Sequence, residues 1–156
     1  MQIPTHTVLL LIRGDEVLLG MKKTGFGQGN YLGIGGKIEK GESSLEGVVR
    51  ECREEISVDV QNPTFRGQVK FNFLAKPEWN SVVDVYSSET WVGEPAESEE
   101  IKPNWFKKSE IPLEQMWHDN RYWLPLVLEG NKFSAEFDLT EDLRVDNYSV
   151  RFDKNN

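Results

Sequence analysis

The chain has 156 residues, 38% of them hydrophobic, with 26 Asp and Glu against 18 Lys and Arg and a formal net charge of −8. This composition gives one globular domain over residues 1–156 with a core of its own, and no apolar run approaches the ~20 residues of a membrane helix. The negative field disfavours nucleic acid polymers as partners. The start, Met1-Gln2-Ile3-Pro4, has neither the charged region nor the cleavage site of a leader, and the lone Cys52 has no internal disulfide partner. Both point to a cytoplasmic, reducing location.

In chain order, Thr7 to Arg13 and Glu16 to Met21 are β-rich runs around a Gly14-Asp15 turn. A glycine-rich loop follows at Thr24 to Asn30, then a short strand at Tyr31 to Ile34 leading into Gly35-Gly36. The clearest helix comes next. Ser43-Ser44-Leu45-Glu46 matches a capping box, and Leu45, Val48, Val49, Cys52 and Ile56 recur at helical spacing as one apolar stripe. Downstream, Thr64 to Leu74 and Val82 to Val92 read as long strands joined by a turn at Pro77 to Asn80, and Ile101 to Phe106 as another. Pro112 to Met116 and Arg121 to Leu128 read as short helices, and Lys132 to Leu139 with Leu143 to Phe152 as a terminal strand pair. One mixed sheet with helices on its faces fits this order, an α+β fold.

On the first helix, Glu51, Glu54 and Glu55 stand at i, i+3 and i+4, so their side chains share one face and repel one another unless a cation lies between them. Mg²⁺ or Mn²⁺ suits such hard oxygen ligands. Glutamates are common on solvated helix faces, and what sets these apart is the spacing around them. From Gly36 to Val58 the chain reads G-x5-E-x7-R-E-C-x-E-E-x-S-V. That pattern resembles the Nudix box of pyrophosphohydrolases acting on nucleoside diphosphates linked to another group. Two positions depart from it, Ser57 for the usual glycine and Cys52 for an aliphatic residue. Serine at a left-handed helix cap costs local stability without removing a ligand.

Beyond the box, the chain is similar to the animal-type MutT branch of the family, which hydrolyses oxidised purine nucleoside triphosphates. The similarity rests on Val17 to Lys23, Gly25-Phe26-Gly27, Gly35-Gly36-Lys37, Pro103 to Phe106 and Met116 to Trp123. It implies an α/β/α sandwich, a mixed sheet between helices, and a small nucleotide substrate. The metal ligands it implies are Glu51, Glu54, Glu55, Glu100 and the Gly35 carbonyl. It places Lys22 on the phosphates, and Thr7, Phe26, Phe71, Phe73, Trp117, Asp119, Asn120 and Trp123 around the base. The branch has asparagine at Leu32 and a second aspartate at Asn120, so these departures imply narrower or different base selection.

The reaction so implied is attack of a metal-activated water on the substrate's diphosphate, releasing a nucleoside monophosphate and pyrophosphate. Glu51 or Glu100 is the expected base, and Arg50 is expected to orient a glutamate through a bidentate contact. Two other readings compete: the same chemistry on a sugar nucleotide or dinucleoside polyphosphate, and a non-catalytic nucleotide sensor. A monomer or a dimer is compatible with the sequence. His6 and His118 have no metal-spaced partner and are expected to stand aside.

Overall fold

In a computed structural model, residues 1–153 of the chain are described. The apolar runs form strands β1 (His6–Arg13), β2 (Glu16–Lys22), β3 (Tyr31–Leu32) and β4 (Ile34–Lys37), followed by helix α1 (Ser44–Ile56). Then come β5 (Asp59–Gln61), β6 (Thr64–Phe73), β7 (Ser81–Ser88), β8 (Thr90–Val92), β9 (Ile101–Lys107), helix α2 (Asn120–Leu128), β10 (Lys132–Leu139) and β11 (Val145–Asp153). Nine strands make one sheet in the order β11-β10-β6-β7-β1-β2-β3, with β4 beside β1 and β9 beside β2. The sheet is mixed, because β1 runs parallel to β7 and β10 parallel to β6 while the other pairs are antiparallel.

Successive strand side chains point to opposite faces, and β1 uses both. Leu9 and Leu11 pack with Val48, Cys52 and Ile56 of α1. Leu10 and Ile12 join a second cluster containing Trp123, Leu124 and Val127 of α2. The sheet is thus buried between the two helices, the expected sandwich, with each fully buried leucine contributing about 1.5–3 kcal/mol of transfer free energy.

The ends of α1 are fixed by its sequence. Glu46 N–H donates to Ser43 Oγ at 3.0 Å and Ser43 N–H to Glu46 Oε1 at 2.9 Å, closing the capping box. At the other end Ser57 sits in the left-handed region at φ 59, the conformation the family's glycine would adopt without strain.

Four local expectations are corrected. Leu45 is 44% exposed, because the buried stripe of α1 runs through Ser44, Val48, Cys52, Glu55 and Ile56, one position away. The strand expected at Val82 to Val92 breaks at Glu89, where β8 leaves the main sheet to pair with β5. Tyr31 to Ile34 divides at Gly33, since β3 pairs with β2 and β4 with β1. The helix expected at Pro112 to Met116 is a single 3-10 turn, Leu113–Gln115. Among the described residues no helix is long and apolar enough to cross a membrane.

Candidate active site

The pairing of β4 with the first half of β1 carries Gly35 and Gly36 over the face of α1 that bears Glu51 and Glu55. The approach is close. A Cβ at Gly36 would lie 2.9 Å from Glu51 Oε1, and one at Gly35 would meet the Thr7 carbonyl oxygen at 2.0 Å. A side chain at Gly35 would run into backbone, and one at Gly36 would push the Glu51 carboxylate aside.

Glu55 is buried, and its Oε1 has no hydrogen-bond partner. Burial pushes its carboxyl well above the usual carboxylate range. A hydrogen bond with Glu51 and the charges of Glu51 and Glu100 push the same way, while a backbone bond with Gly35 opposes them. Glu51 and Glu100 therefore both lie within electrostatic reach of Glu55.

Arg50 organises the acids around this pair. Its Nε donates to Glu42 Oε2 at 2.7 Å and Nη2 to Glu42 Oε1 at 2.9 Å, a two-pronged contact that holds the Glu42 carboxyl down to about 2. Its Nη1 reaches Glu51 at 3.0 Å and Glu54 at 3.2 Å, and Nη2 donates to the Lys37 carbonyl at 3.1 Å. Glu54 is 58% exposed and faces this guanidinium.

For a divalent cation, the chemistry of the donors fits: hard carboxylate oxygens, one of them buried and unpaired, in a cluster whose mutual repulsion positive charge would relieve. The side chains do not form a closed cage. Among the described residues no three His, Cys, Asp or Glu stand together as an ion-holding group.

A cavity of about 660 Å³ opens beside this cluster and runs from Gly35, Gly36 and Lys37 to Asp119 and Asn120. Every residue expected around the base lines it: Thr7, Phe26, Leu32, Phe71, Phe73, Trp117, Asp119, Asn120 and Trp123, with Lys22 among them. Its inner end is polar and buried. Asp119, 2% exposed, accepts from Trp123 Nε1 through Oδ2 at 2.9 Å, and burial raises its carboxyl to about 7 against that hydrogen bond. Asn120 Nδ2 donates to the Trp117 carbonyl at 3.0 Å. Thr7 Oγ1 is buried without a partner. Trp123 also stacks on Phe133, ring centroids 5.3 Å apart, so it serves the core as well as Asp119.

Sequence reasoning did not find Trp79, Asn80 and Ser81, which line the same cavity from the turn after β6 and the first residue of β7. The only signal was a tryptophan in a turn joining two long strands. Lys23, by contrast, bonds Glu97 at 2.6 Å and the Ser98 carbonyl at 2.9 Å. His118 Nδ1 accepts from the Val145 N–H at 2.9 Å, a packing role.

The model of the NUDIX domain matches residues 2–127. An oxidized purine nucleoside triphosphate hydrolase from Mus musculus is 38% identical over 146 residues, covering 94% of this chain and 93% of its own length. One of the same description from Danio rerio is 40% identical over 131 residues, covering 84% and 83%. Among solved structures, a MutT protein from Bacillus halodurans superposes with a TM-score of 0.80 at 29% identity, covering 93% of this chain and 95% of that one. With a match spanning most of its length and relatives at this level of identity, the chain belongs to the NUDIX family.

Proposed function

We propose that this protein, acting as one unit over residues 1–156, hydrolyses oxidised purine nucleoside triphosphates such as 8-oxo-dGTP to the monophosphate and pyrophosphate. One observation carries the reading: a single cavity runs from Gly35 and Gly36, the backbone against which the Glu51 carboxylate packs, to a polar floor at Asp119 and Asn120. A triphosphate at one end and a purine at the other match its two chemistries. The described activity of the mouse and zebrafish relatives supports the same substrate class.

Glu51 and Glu55, with Glu100, Glu54 and the Gly35 carbonyl beside them, are the residues that would hold Mg²⁺ or Mn²⁺. Bound there, a divalent ion would lower the pKa of the attacking water and neutralise charge on the leaving pyrophosphate. Arg50 fixes the acids: gripping Glu42 on one side, it presents Glu51 toward Gly36 on the other. Lys22 offers a cation to the phosphates from the cavity wall.

The floor reads the base. With Nδ2 bound to the Trp117 carbonyl, Asn120 presents Oδ1 as an acceptor, and Asp119 adds a second oxygen function beside it. With Asp119 ionised, the pair suits a purine edge rich in N–H donors; with the proton it keeps below about pH 7, Asp119 would donate as well. Leu32 supplies no polar group and Asn120 stands where the branch has a second aspartate, so base selection is narrower than that of the branch or different from it.

The test is pyrophosphate release with Mg²⁺ from a panel of oxidised and normal nucleoside triphosphates, sugar nucleotides and dinucleoside polyphosphates. Preferential turnover of an oxidised purine supports the reading. Equal turnover of dGTP and 8-oxo-dGTP removes the selectivity, faster turnover of a sugar nucleotide moves the substrate, and nucleotide binding without turnover favours a sensor.

A further inference from the structure

The mouth of the cavity holds two aromatic side chains that folding leaves in water, Phe26 at 51% and Trp79 at 41% exposure. They come from separate loops yet meet. The Phe26 ring stands edge-on to Trp79 at 5.2 Å between centroids and edge-on to Trp117 at 5.3 Å, so three rings bridge the opening. Large exposed aromatics without a core role often mark a binding surface, and both of these line the cavity.

The two loops differ in how they hold their ring. Trp79 is anchored: it sits edge-on to Phe73 at 5.9 Å, Lys76 Nζ lies 4.2 Å from its ring centroid, and Asn80 Oδ1 accepts from Phe73 N–H at 2.8 Å to pin the turn. Phe26, by contrast, keeps half of its surface in solvent beyond its ring contacts with Trp79 and Trp117. It stands between Gly25 at φ 74 and Gly27 at φ 85, and around Gly25 there is open space. Its loop backbone is nevertheless fixed, with Gly29 N–H donating to the Lys22 carbonyl at 2.8 Å and Asn30 N–H to the Gly27 carbonyl at 3.0 Å. The part free to move is the Phe26 side chain. An edge-to-face ring contact is worth only a few multiples of thermal energy.

We propose that Trp79 is a substrate-contacting residue: with Phe26 it forms a two-ring gate across the cavity mouth that opens to admit a purine nucleotide and closes over it. Trp79 is the fixed post and Phe26 the moving leaf. The ring edges now turned to each other would, on closure, rest against the base and sugar and shield them from water, adding affinity that does not depend on which purine is bound. The proposal rests on the nucleotide reading of the cavity and adds to it a residue outside the acidic cluster and the polar floor.

The experiment pairs kinetics with fluorescence on the full chain, using wild type, Trp79→Ala, Trp79→Phe and Phe26→Ala. With 8-oxo-dGTP as substrate, Trp79→Ala is expected to raise KM about tenfold, as loss of one base-aromatic contact does. The loss should fall on KM more than on kcat, and Trp79→Phe should recover most of it. With 8-oxo-dGMP and dGMP as probes, both nucleotides should quench wild-type tryptophan emission, and the quench should shrink in Trp79→Phe. The exposed ring makes unfolding by Trp79→Ala unexpected, and Trp79→Phe keeps the quench test open if it occurs. Unchanged KM in Trp79→Ala, or a quench of equal size in wild type and Trp79→Phe, would overturn the gate while leaving the hydrolase reading intact. If wild type turns over no triphosphate, the hydrolase reading fails while the quench still decides the gate; a wild type whose emission responds to neither nucleotide overturns the gate as well.

Discussion

Arg50 grips Glu42 with two nitrogens, at 2.7 and 2.9 Å, and with a third reaches Glu51 at 3.0 Å. Glu42 lies ahead of α1 and Glu51 within it, so one guanidinium ties the incoming loop to the acidic face. Lysine has the charge but not the fork. Arg50→Lys is therefore expected to lower kcat/KM by roughly 10–100-fold, the range for residues that orient metal-site ligands. Steady-state kinetics with a thermal melt on the same sample checks this, and an unchanged kcat/KM would show that Arg50 positions nothing.

Gly36 and Glu51 make a second such relationship, with no space between them for a methyl group. Gly36→Ala should displace the Glu51 carboxylate and cost about 100-fold in rate, as misplacement by about an ångström can. Substrate affinity should change much less, because the cavity floor is untouched. A kcat equal to wild type would mean that Glu51 is not held where the reaction needs it.

Ser57 is a stability weakness that the chain carries at its helix end. With φ at 59, its Cβ is in the region that disfavours L-residues. Ser57→Gly is expected to stabilise the protein by about 1 kcal/mol, read as a higher midpoint in urea with an unchanged slope. No gain would mean that the serine's contacts offset its strain.

Asp119 gives a pH signature. Its carboxyl is raised from 3.8 to about 7 by burial, so in the folded state it keeps a proton that the unfolded chain has already released. The folded protein then binds more protons between those two values, and stability falls as pH rises through that window. The contribution is complete below the lower value and gone above the higher one. Asp119→Asn should flatten that slope relative to wild type, measured by urea unfolding at several pH values across the window; parallel curves would contradict the assignment. Glu55 pushes the same way, which is why the comparison is made between variant and wild type.

Much of this was legible in the sequence, for identifiable reasons. The capping box at Ser43 and Glu46 and the period of Val48, Cys52 and Ile56 are local signals, readable without knowing any tertiary contact. The cost at Ser57 was legible for the same reason. Leu45 was misplaced because a 3.6-residue period admits two neighbouring stripes, and only packing against β1 chooses between them. The break at Glu89 was invisible, since β8 owes its separation to a partner strand about 30 residues earlier, at Asp59–Gln61. Trp79 was missed because its place at the cavity mouth depends on the Phe26 loop, far away in the chain.

The most direct test of the whole account compares wild type with Glu51→Gln and Glu55→Gln, measuring pyrophosphate and 8-oxo-dGMP formed from 8-oxo-dGTP under saturating Mg²⁺. The account predicts the two products in equal amounts from wild type and a rate lower by orders of magnitude in each variant, as loss of a metal-holding carboxylate implies, with both variants folded. Release of orthophosphate instead of pyrophosphate, or variants as fast as wild type, would contradict it.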